Sequence, residues 1–299
     1  MKQAQTDSKI ALITLSYAPD FERCKLLVES VERCLTDDVH HYIIVDRRDV
    51  ALFKPLVSSR SSLRVVEDLL PSWMFRVSGL NKWWMSLRTL PVRNWIMQQL
   101  VKMSIFDAID EDVAVFCDSD NTFIRPVDLS SYLLKGDQVA FLKVDYQSKD
   151  IQKWIIASQR LLGLESVQIQ PANYISNLIA WRRDNVKAML DRIEKTNNVS
   201  WMRAVCQHRT ISEYMIYGIF VDYILGLESA NHFLFDTELV KPSWSIPLST
   251  QSEVDDFFGD LKDSHVGVMI HSKDGIPVER YRDQVEALWS QSTQKSLSV

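Results

Sequence analysis

Two carboxylates, Asp118 and Asp120, stand two residues apart directly after the uncharged run Val113-Ala114-Val115-Phe116-Cys117. That run reads as a buried strand, and ligands of parallel sheets sit at the carboxyl ends of strands. Carboxylates this close repel unless one is protonated or a cation lies between them. A divalent ion removes the repulsion and keeps positions open for phosphate oxygens. A plain turn after a strand uses the same residue types, so the position of the pair, not its composition, carries the reading. A third carboxylate, Glu213, opens an apolar run of helical length from Ile211 to Leu225. A helix N-terminus stabilises the ionised form there, and such a carboxylate can take a proton from a hydroxyl.

The elements that must position these groups follow from hydropathy. Strands are expected over 9–16, 41–45, 63–66, 113–117, 138–144, 174–181 and 266–270, the last ending at His271. Asp20 is placed to cap a helix whose inward positions are Phe21, Cys24, Leu27, Val28, Val31 and Leu35. Further helices are expected over 50–57, 94–109, 151–162, 184–194 and 211–225. In the second of these Gln98 and Lys102, four apart, share a face. Strand and helix alternating at this pace predict an α/β fold with a mixed, mostly parallel central sheet flanked by helices. The stretch from Pro71 to Arg93, rich in aromatic and basic residues, lacks a clean period and reads as an irregular excursion. The Ser/Gln/Lys-rich end, 291–299, is expected to fray. No repeat or linker divides the chain.

Composition narrows the chemistry. Eight glycines in 299 residues is well below the usual level of about 7%. Neither the glycine-rich dinucleotide fingerprint nor the P-loop motif is present. A net charge of −5 disfavours nucleic-acid binding through bulk electrostatics. No apolar run is long enough to span a membrane, and the polar start from Met1 to Lys9 does not read as a signal peptide. The four cysteines form no C-x-x-C pair and sit in apolar settings, as reduced core residues of a cytoplasmic protein do. The expected location is therefore the cytoplasm, with peripheral contact at the inner face of the membrane left open.

Two reaction classes fit D-x-D after a strand. In one, a metal bridges the diphosphate of a sugar nucleotide and neutralises the leaving group. In the other, Asp118 is a nucleophile and Asp120 its acid, as in the haloacid-dehalogenase-like phosphatases, whose opening motif Asp118-Ser119-Asp120-Asn121-Thr122 resembles. That family's motif sits on the first strand, however, and its later acidic pair could only be Asp255-Asp256.

Taken together, NWIMQQLVK before the D-x-D, FCDSDNTFIRP around it and ISEYMIYG near residue 213 resemble the GT-A glycosyltransferases, and more narrowly the bacterial glycosyltransferase-like family DUF6492. The resemblance implies one GT-A-like domain over 1–299, with a nucleotide-sugar-binding half at 9–125 and an acceptor-binding, catalytic half at 126–290. It implies a hexosyltransferase-type enzyme of glycan or glycoconjugate biosynthesis, using a UDP- or GDP-sugar. The acceptor would be a glycan, a lipid-linked intermediate or a small molecule. By the same resemblance Asp118, Asp120 and His271 would hold Mn²⁺ or Mg²⁺. Ser16, Tyr17, Asp46, Gln98, Lys102, Ser119 and Lys273 would contact the donor. Glu213 would be the base of an inverting transfer, and Asn177, Trp181, Tyr214 and Tyr217 would form the acceptor platform. An inactive scaffold that only binds nucleotide or glycan is the alternative outside enzymology.

Overall fold

The computed structural model describes residues 8–80, 82–244 and 246–297. Along the chain the strands are β1 (Ile10–Leu15), β2 (His40–Val45), β3 (Ser61–Val65), β4 (Met74–Phe75), β5 (Trp83–Ser86), β6 (Val92–Arg93), β7 (Val113–Phe116), β8 (Asn121–Phe123), β9 (Leu134–Lys135), β10 (Gln138–Phe141), β11 (Val144–Asp145), β12 (Ala172–Asn173), β13 (Ile179–Arg182), β14 (His232–Leu234), β15 (Val240–Pro242) and β16 (Gly267–Met269). The α-helices are α1 (Phe21–Cys34), α2 (Val50–Phe53), α3 (Asn94–Ser104), α4 (Leu129–Leu133), α5 (Lys149–Leu162), α6 (Arg183–Asn197), α7 (Trp201–Cys206), α8 (Glu213–Phe220), α9 (Gln251–Gly259) and α10 (Arg282–Leu297). The class is the expected one, mixed α/β with a mostly parallel central sheet flanked by helices.

Contacts gather into two compact units that interleave along the chain. One holds Val65–Ala114 and Leu133–Asp236 with Ser8 and Lys9; the other holds Ile10–Arg64, Val115–Tyr132 and the chain from Thr237 onward.

In the second unit β1, β2 and β3 are sheet neighbours in that order, and the end of β7, Val115–Phe116, lies beside β1. β1 and β2 are parallel, with Ala11 opposite His40 and Leu15 opposite Ile44. β7 runs the same way, because Val113 N–H donates to Lys9 O at 3.1 Å and Cys117 N–H to Ile13 O at 2.9 Å. The carboxyl ends of β1, β2 and β7 therefore share one edge. α1 covers the sheet with the face its spacing predicts: Cys24 and Val28 pack on Ile43 and Val45, joined by Phe53 and Leu56. A smaller sheet, β15-β16-β8, completes this unit. β16 is antiparallel to β8, with Met269 opposite Asn121 and Gly267 opposite Phe123. At Gly267 a Cβ would lie 3.1 Å from the Thr122 carbonyl, so the close approach of β16 to β8 needs glycine.

The first unit contains the sheet β14-β10-β9 and the helices α3, α5, α6 and α8. α5 starts on the Ser148 hydroxyl, which accepts from Ile151 N–H, and stops at Gly163 in the left-handed region. Pro71 to Arg93 is not wholly irregular. It contains a three-stranded antiparallel sheet, β4-β5-β6, whose short strands fall below the length at which alternation is legible. Several further boundaries differ from expectation: the helix expected over 50–57 is α-helical only to Phe53, and the strand expected over 138–144 ends at Phe141. The strand expected over 174–181 is confined to β13, and the helix expected over 211–225 is α-helical only to Phe220, continuing as a π-turn through Leu225. α10 continues as helix through Leu297, within the 291–299 stretch expected to fray, of which 298 and 299 lie outside the described residues.

All four cysteines are free thiols. Burial pushes Cys24, Cys34 and Cys206 up to about 12, which keeps them protonated and unreactive.

Candidate functional site

At the carboxyl edge of the second unit's sheet three acidic side chains lie within electrostatic reach of one another. Asp118 and Asp120 follow β7, and Asp20 follows β1 by way of a single 3₁₀ turn, Ala18–Asp20. The turn at Asp118 is locked from both sides. Its carbonyl accepts Asn121 N–H at 3.1 Å and Asn121 Nδ2–H at 2.9 Å. One residue earlier the Cys117 carbonyl accepts the Thr14 hydroxyl at 2.8 Å. Thr14 Oγ1 in turn accepts from His41 Nε2 at 2.9 Å, so a buried polar rung crosses β2, β1 and β7 just behind the carboxylates. Burial holds His41 down to about 3, so it is neutral and carries its proton on Nε2.

The antiparallel pairing of β16 with β8 fixes what faces Asp120. Ile270 N–H donates to the Asp120 carbonyl at 3.0 Å, and Ser272 N–H donates to Asp120 Oδ2 at 3.0 Å. Burial first, and then the neighbouring Asp118, push the Asp120 carboxyl up to about 6; the Ser272 N–H and the nearby His271 offset part of this, while Asp20 adds to it. Asp20 is itself raised by burial and by Asp118 against the opposing pull of Arg23, whose Nη1 is 3.5 Å away. The Asp20 side chain makes no capping bond to α1. The sequence reading of Asp20 as a helix cap was therefore incomplete: its carboxylate belongs to the acidic cluster. Strand topology alone reveals this, since the only local signal is that of a cap.

His271 lies two residues past the end of β16. Its backbone N–H donates to Ser243 Oγ at 3.0 Å, Nδ1 lies 3.4 Å from Asp274 Oδ1, and its ring packs against half-exposed Trp244 at 4.6 Å. Lys273 is exposed in the following turn. Ser119 is buried, and Tyr17 is exposed with its phenol raised by burial and by Asp20. Asp46 ends β2, 3.3 Å from Arg48 Nη2. Thus Ser16, Tyr17, Asp46, Ser119, His271 and Lys273 all belong to the same unit as the carboxylates.

Among the described residues no three His, Cys, Asp or Glu side chains stand close enough to enclose a metal ion by themselves. A preformed Asp118–Asp120–His271 cage is therefore not assembled. What is present is a set of hard oxygen donors in mutual repulsion. That fits Mg²⁺ or Mn²⁺, which are commonly held by one or two carboxylates and complete their shell with water and substrate phosphate.

The other expected residues lie in the first unit. Lys102 and Glu213 are both buried, with Lys102 Nζ 3.3 Å from Glu213 Oε1 and 2.7 Å from the Tyr214 hydroxyl. Glu213 opens α8 behind the Ser212 cap, whose Oγ accepts Met215 N–H at 3.4 Å. Gln98 is exposed, so the face it was expected to share with Lys102 divides: Lys102 turns inward and Gln98 outward. Trp181 and Tyr217 stack at 4.8 Å inside the unit, 1% and 2% exposed, and offer no free face to a sugar. The Tyr217 hydroxyl accepts from Arg182 N–H at 3.1 Å and Asn185 Nδ2–H at 3.3 Å. It therefore donates to His232 Nε2 at 2.8 Å, and His232 Nδ1–H donates to the Val139 carbonyl at 2.9 Å. Burial holds His232 down to about 4, in keeping with that neutral tautomer. Tyr214 meets Trp181 edge-on, and Asn177 lies half-buried in the bend before β13.

The fold and the acidic edge define an α/β protein with a candidate cation and phosphate site at the carboxyl ends of parallel strands. The chain belongs to a family of unknown function, DUF6492, whose model matches residues 8–292. No curated protein matches it. Its structure is similar to the crystal structure of mouse xyloside xylosyltransferase 1 in the apo form, with a TM-score of 0.45 and 8% identity, covering 90% of this chain and 99% of that one. Among the described residues no helix is long and apolar enough to cross a membrane.

Proposed function

We propose that this chain is a glycosyltransferase that moves a sugar from a nucleoside-diphosphate donor to an acceptor hydroxyl, in glycan or glycoconjugate biosynthesis. The observation that carries the reading is the gathering of Asp20, Asp118 and Asp120 at one sheet edge, with the Ser272 N–H aimed at Asp120. Such an edge is poised for a cation that brings phosphate with it.

In this reading Asp118 and Asp120, with His271, would hold Mn²⁺ or Mg²⁺, which would supply positive charge to the departing diphosphate. Ser272 N–H orients Asp120 for that task. Lys273 reaches the phosphates from the exposed turn after His271. Ser16, Tyr17, Asp46 and Ser119 line the sheet edge on which a nucleoside would rest. In the first unit Gln98 is an exposed polar group available to the donor sugar. Asn177 and Tyr214 are the acceptor contacts, and Trp181 and Tyr217 support them from the interior. Glu213 is the base of an inverting transfer. Its carboxylate pairs with Lys102 Nζ through Oε1 at 3.3 Å, and in this reading it takes the acceptor's proton.

The phosphatase alternative loses ground on a specific point. Asp255 and Asp256, which would supply its second acidic pair, lie within α9, where Asp255 Oδ1 accepts from Gln251 and Gln284 side chains. They do not end a strand.

Thermal shift with UDP, GDP, CMP and ADP, each with and without Mn²⁺, tests the proposal. A ligand at 100 times its dissociation constant stabilises by about 2.7 kcal/mol. One nucleoside diphosphate should raise the melting temperature only with Mn²⁺, and Asp120→Ala should abolish the effect. Glu213→Gln should keep the shift and lose transfer. The absence of any nucleotide response would overturn the reading, and Mg²⁺-dependent cleavage of an aryl phosphate would replace it with phosphatase chemistry.

A further inference from the structure

The sheet β4-β5-β6 has its outer face built from the wrong residues for water. Register and exposure agree on which side is which. Met74, Trp84 and Val92 are buried, while Phe75 pairs with Met85 and Trp83 with Arg93 on the opposite side. Antiparallel sheets that face solvent on one side normally place polar residues there. Here Phe75 and Trp83 are 39% and 38% exposed. The loop from β5 to β6 carries Leu87 and Leu90 at 76% and 71%, the two most exposed large apolar side chains among the described residues. Leu80 in the preceding turn and Trp95 at the start of α3 are exposed as well.

Charge selects the occupant. From Leu69 to Phe106 the sequence has no Asp or Glu, although the chain as a whole is acidic. Lys82, Arg88 and Arg93 are exposed among the apolar residues. The Arg93 guanidinium lies 5.3 Å from the Trp83 ring centroid, and that of Arg88 lies 6.0 Å from Trp73. Leucines at loop tips, tryptophans behind them and arginines alongside match the layers of an anionic bilayer: acyl chains, interface and phosphate headgroups. The loop is also ordered in advance, since Ser86 Oγ accepts Arg88 N–H at 3.1 Å and Thr89 N–H at 2.8 Å, and Leu87 N–H is held by the Trp73 carbonyl at 2.9 Å. Little conformational entropy is left to lose on docking.

We infer that the outer face of β4-β5-β6, with Leu87 and Leu90 at its tip, is a docking surface for an anionic lipid bilayer. The inference is independent of glycosyl transfer and stands or falls on different measurements.

The test is co-sedimentation of the full chain with vesicles of phosphatidylcholine alone or with about 30 mol% phosphatidylglycerol. Each exposed cation near an anionic surface strengthens binding about fivefold, so the anionic vesicles should bind on the order of a hundredfold more tightly. Leu87→Ser with Leu90→Ser should weaken that binding at least about tenfold. Both sites are exposed, so the variant should keep the wild-type circular dichroism and melting temperature. The proposal is overturned if the wild-type chain stays in the supernatant, if both vesicle types bind it equally, or if the double variant binds as wild type. It is also overturned if light scattering shows a wild-type dimer that the double variant dissolves, which would assign the face to a second copy of the chain.

Discussion

Replacing Asp120 by asparagine keeps the acceptor for Ser272 N–H and removes the charge that Asp118 and Asp20 oppose. In the folded protein the Asp120 carboxyl sits at about 6, against 3.8 for the ordinary group. A folded pKa above the unfolded one means that ionising the group costs more in the folded state. The stability of the metal-free wild type therefore falls as pH rises from about 4 through 6 and levels off above. At 1.36 kcal/mol per pH unit the full penalty is about 3 kcal/mol at pH 7.5 and about 1.5 kcal/mol at pH 5. For a chain of this length about 2 °C accompanies each kcal/mol. In a chelator, Asp120→Asn should thus melt about 6 °C above wild type at pH 7.5 and about 3 °C above it at pH 5. Adding Mn²⁺ should raise wild type and leave the variant unmoved. Differential scanning calorimetry across that pH range reads both effects. A variant less stable than wild type at pH 7.5, or a difference that does not grow with pH, would refute the picture of an uncompensated acidic cluster.

Three other outcomes follow from the interior. Lys102→Met strands the Glu213 carboxylate in a buried setting and should cost about 3–5 kcal/mol; adding Glu213→Gln should restore at least half, a double-mutant comparison by urea titration. Gln99, 2% exposed, leaves both amide atoms without a hydrogen bond, so Gln99→Met should raise the melting temperature by about 2 °C or more, and a drop would show that the amide is satisfied in solution. His232, held at about 4 against 6.5, is protonated first in the unfolded chain; its contribution is complete above pH 6.5 and is lost as pH falls toward 4, by about 3 kcal/mol. In His232→Gln the acid side of the stability profile should flatten by that amount, measured as the difference from wild type.

Much of the scaffold was legible in short-range pattern. The apolar run 113–117 named β7 because every residue of that strand is buried, and the helical spacing of Cys24, Val28 and Val31 named α1 because burial there repeats with the helical period. What the pattern could not supply was partners distant in sequence. The β4-β5-β6 sheet escaped because its strands are two to four residues long, and an alternation needs more than that to be seen. Lys102 was expected to share a face with Gln98 and to contact the donor; α8 brings it a buried carboxylate, and Lys102 is buried in an ion pair with Glu213 while Gln98 is exposed. Asp20 carries the same local signature whether it caps α1 or joins Asp118, and the β1–β7 pairing decides.

The same residue type thus acquires opposite electrostatics from its company. Glu213, the carboxylate at a helix start, is answered by Lys102, and the pair is largely complete as it stands. Asp120, at a strand end, faces Asp118 and Asp20, and among the described residues the stabilisation on hand is the Ser272 N–H and the nearby His271. A buried charge answered by its own chain serves the fold, whereas one opposed by its own chain gains most from what binds next. That asymmetry ranks the two candidates: Asp120 is the residue whose substitution should change ligand response first, and Glu213 the one whose substitution must be controlled for stability before any loss of transfer is read as catalysis.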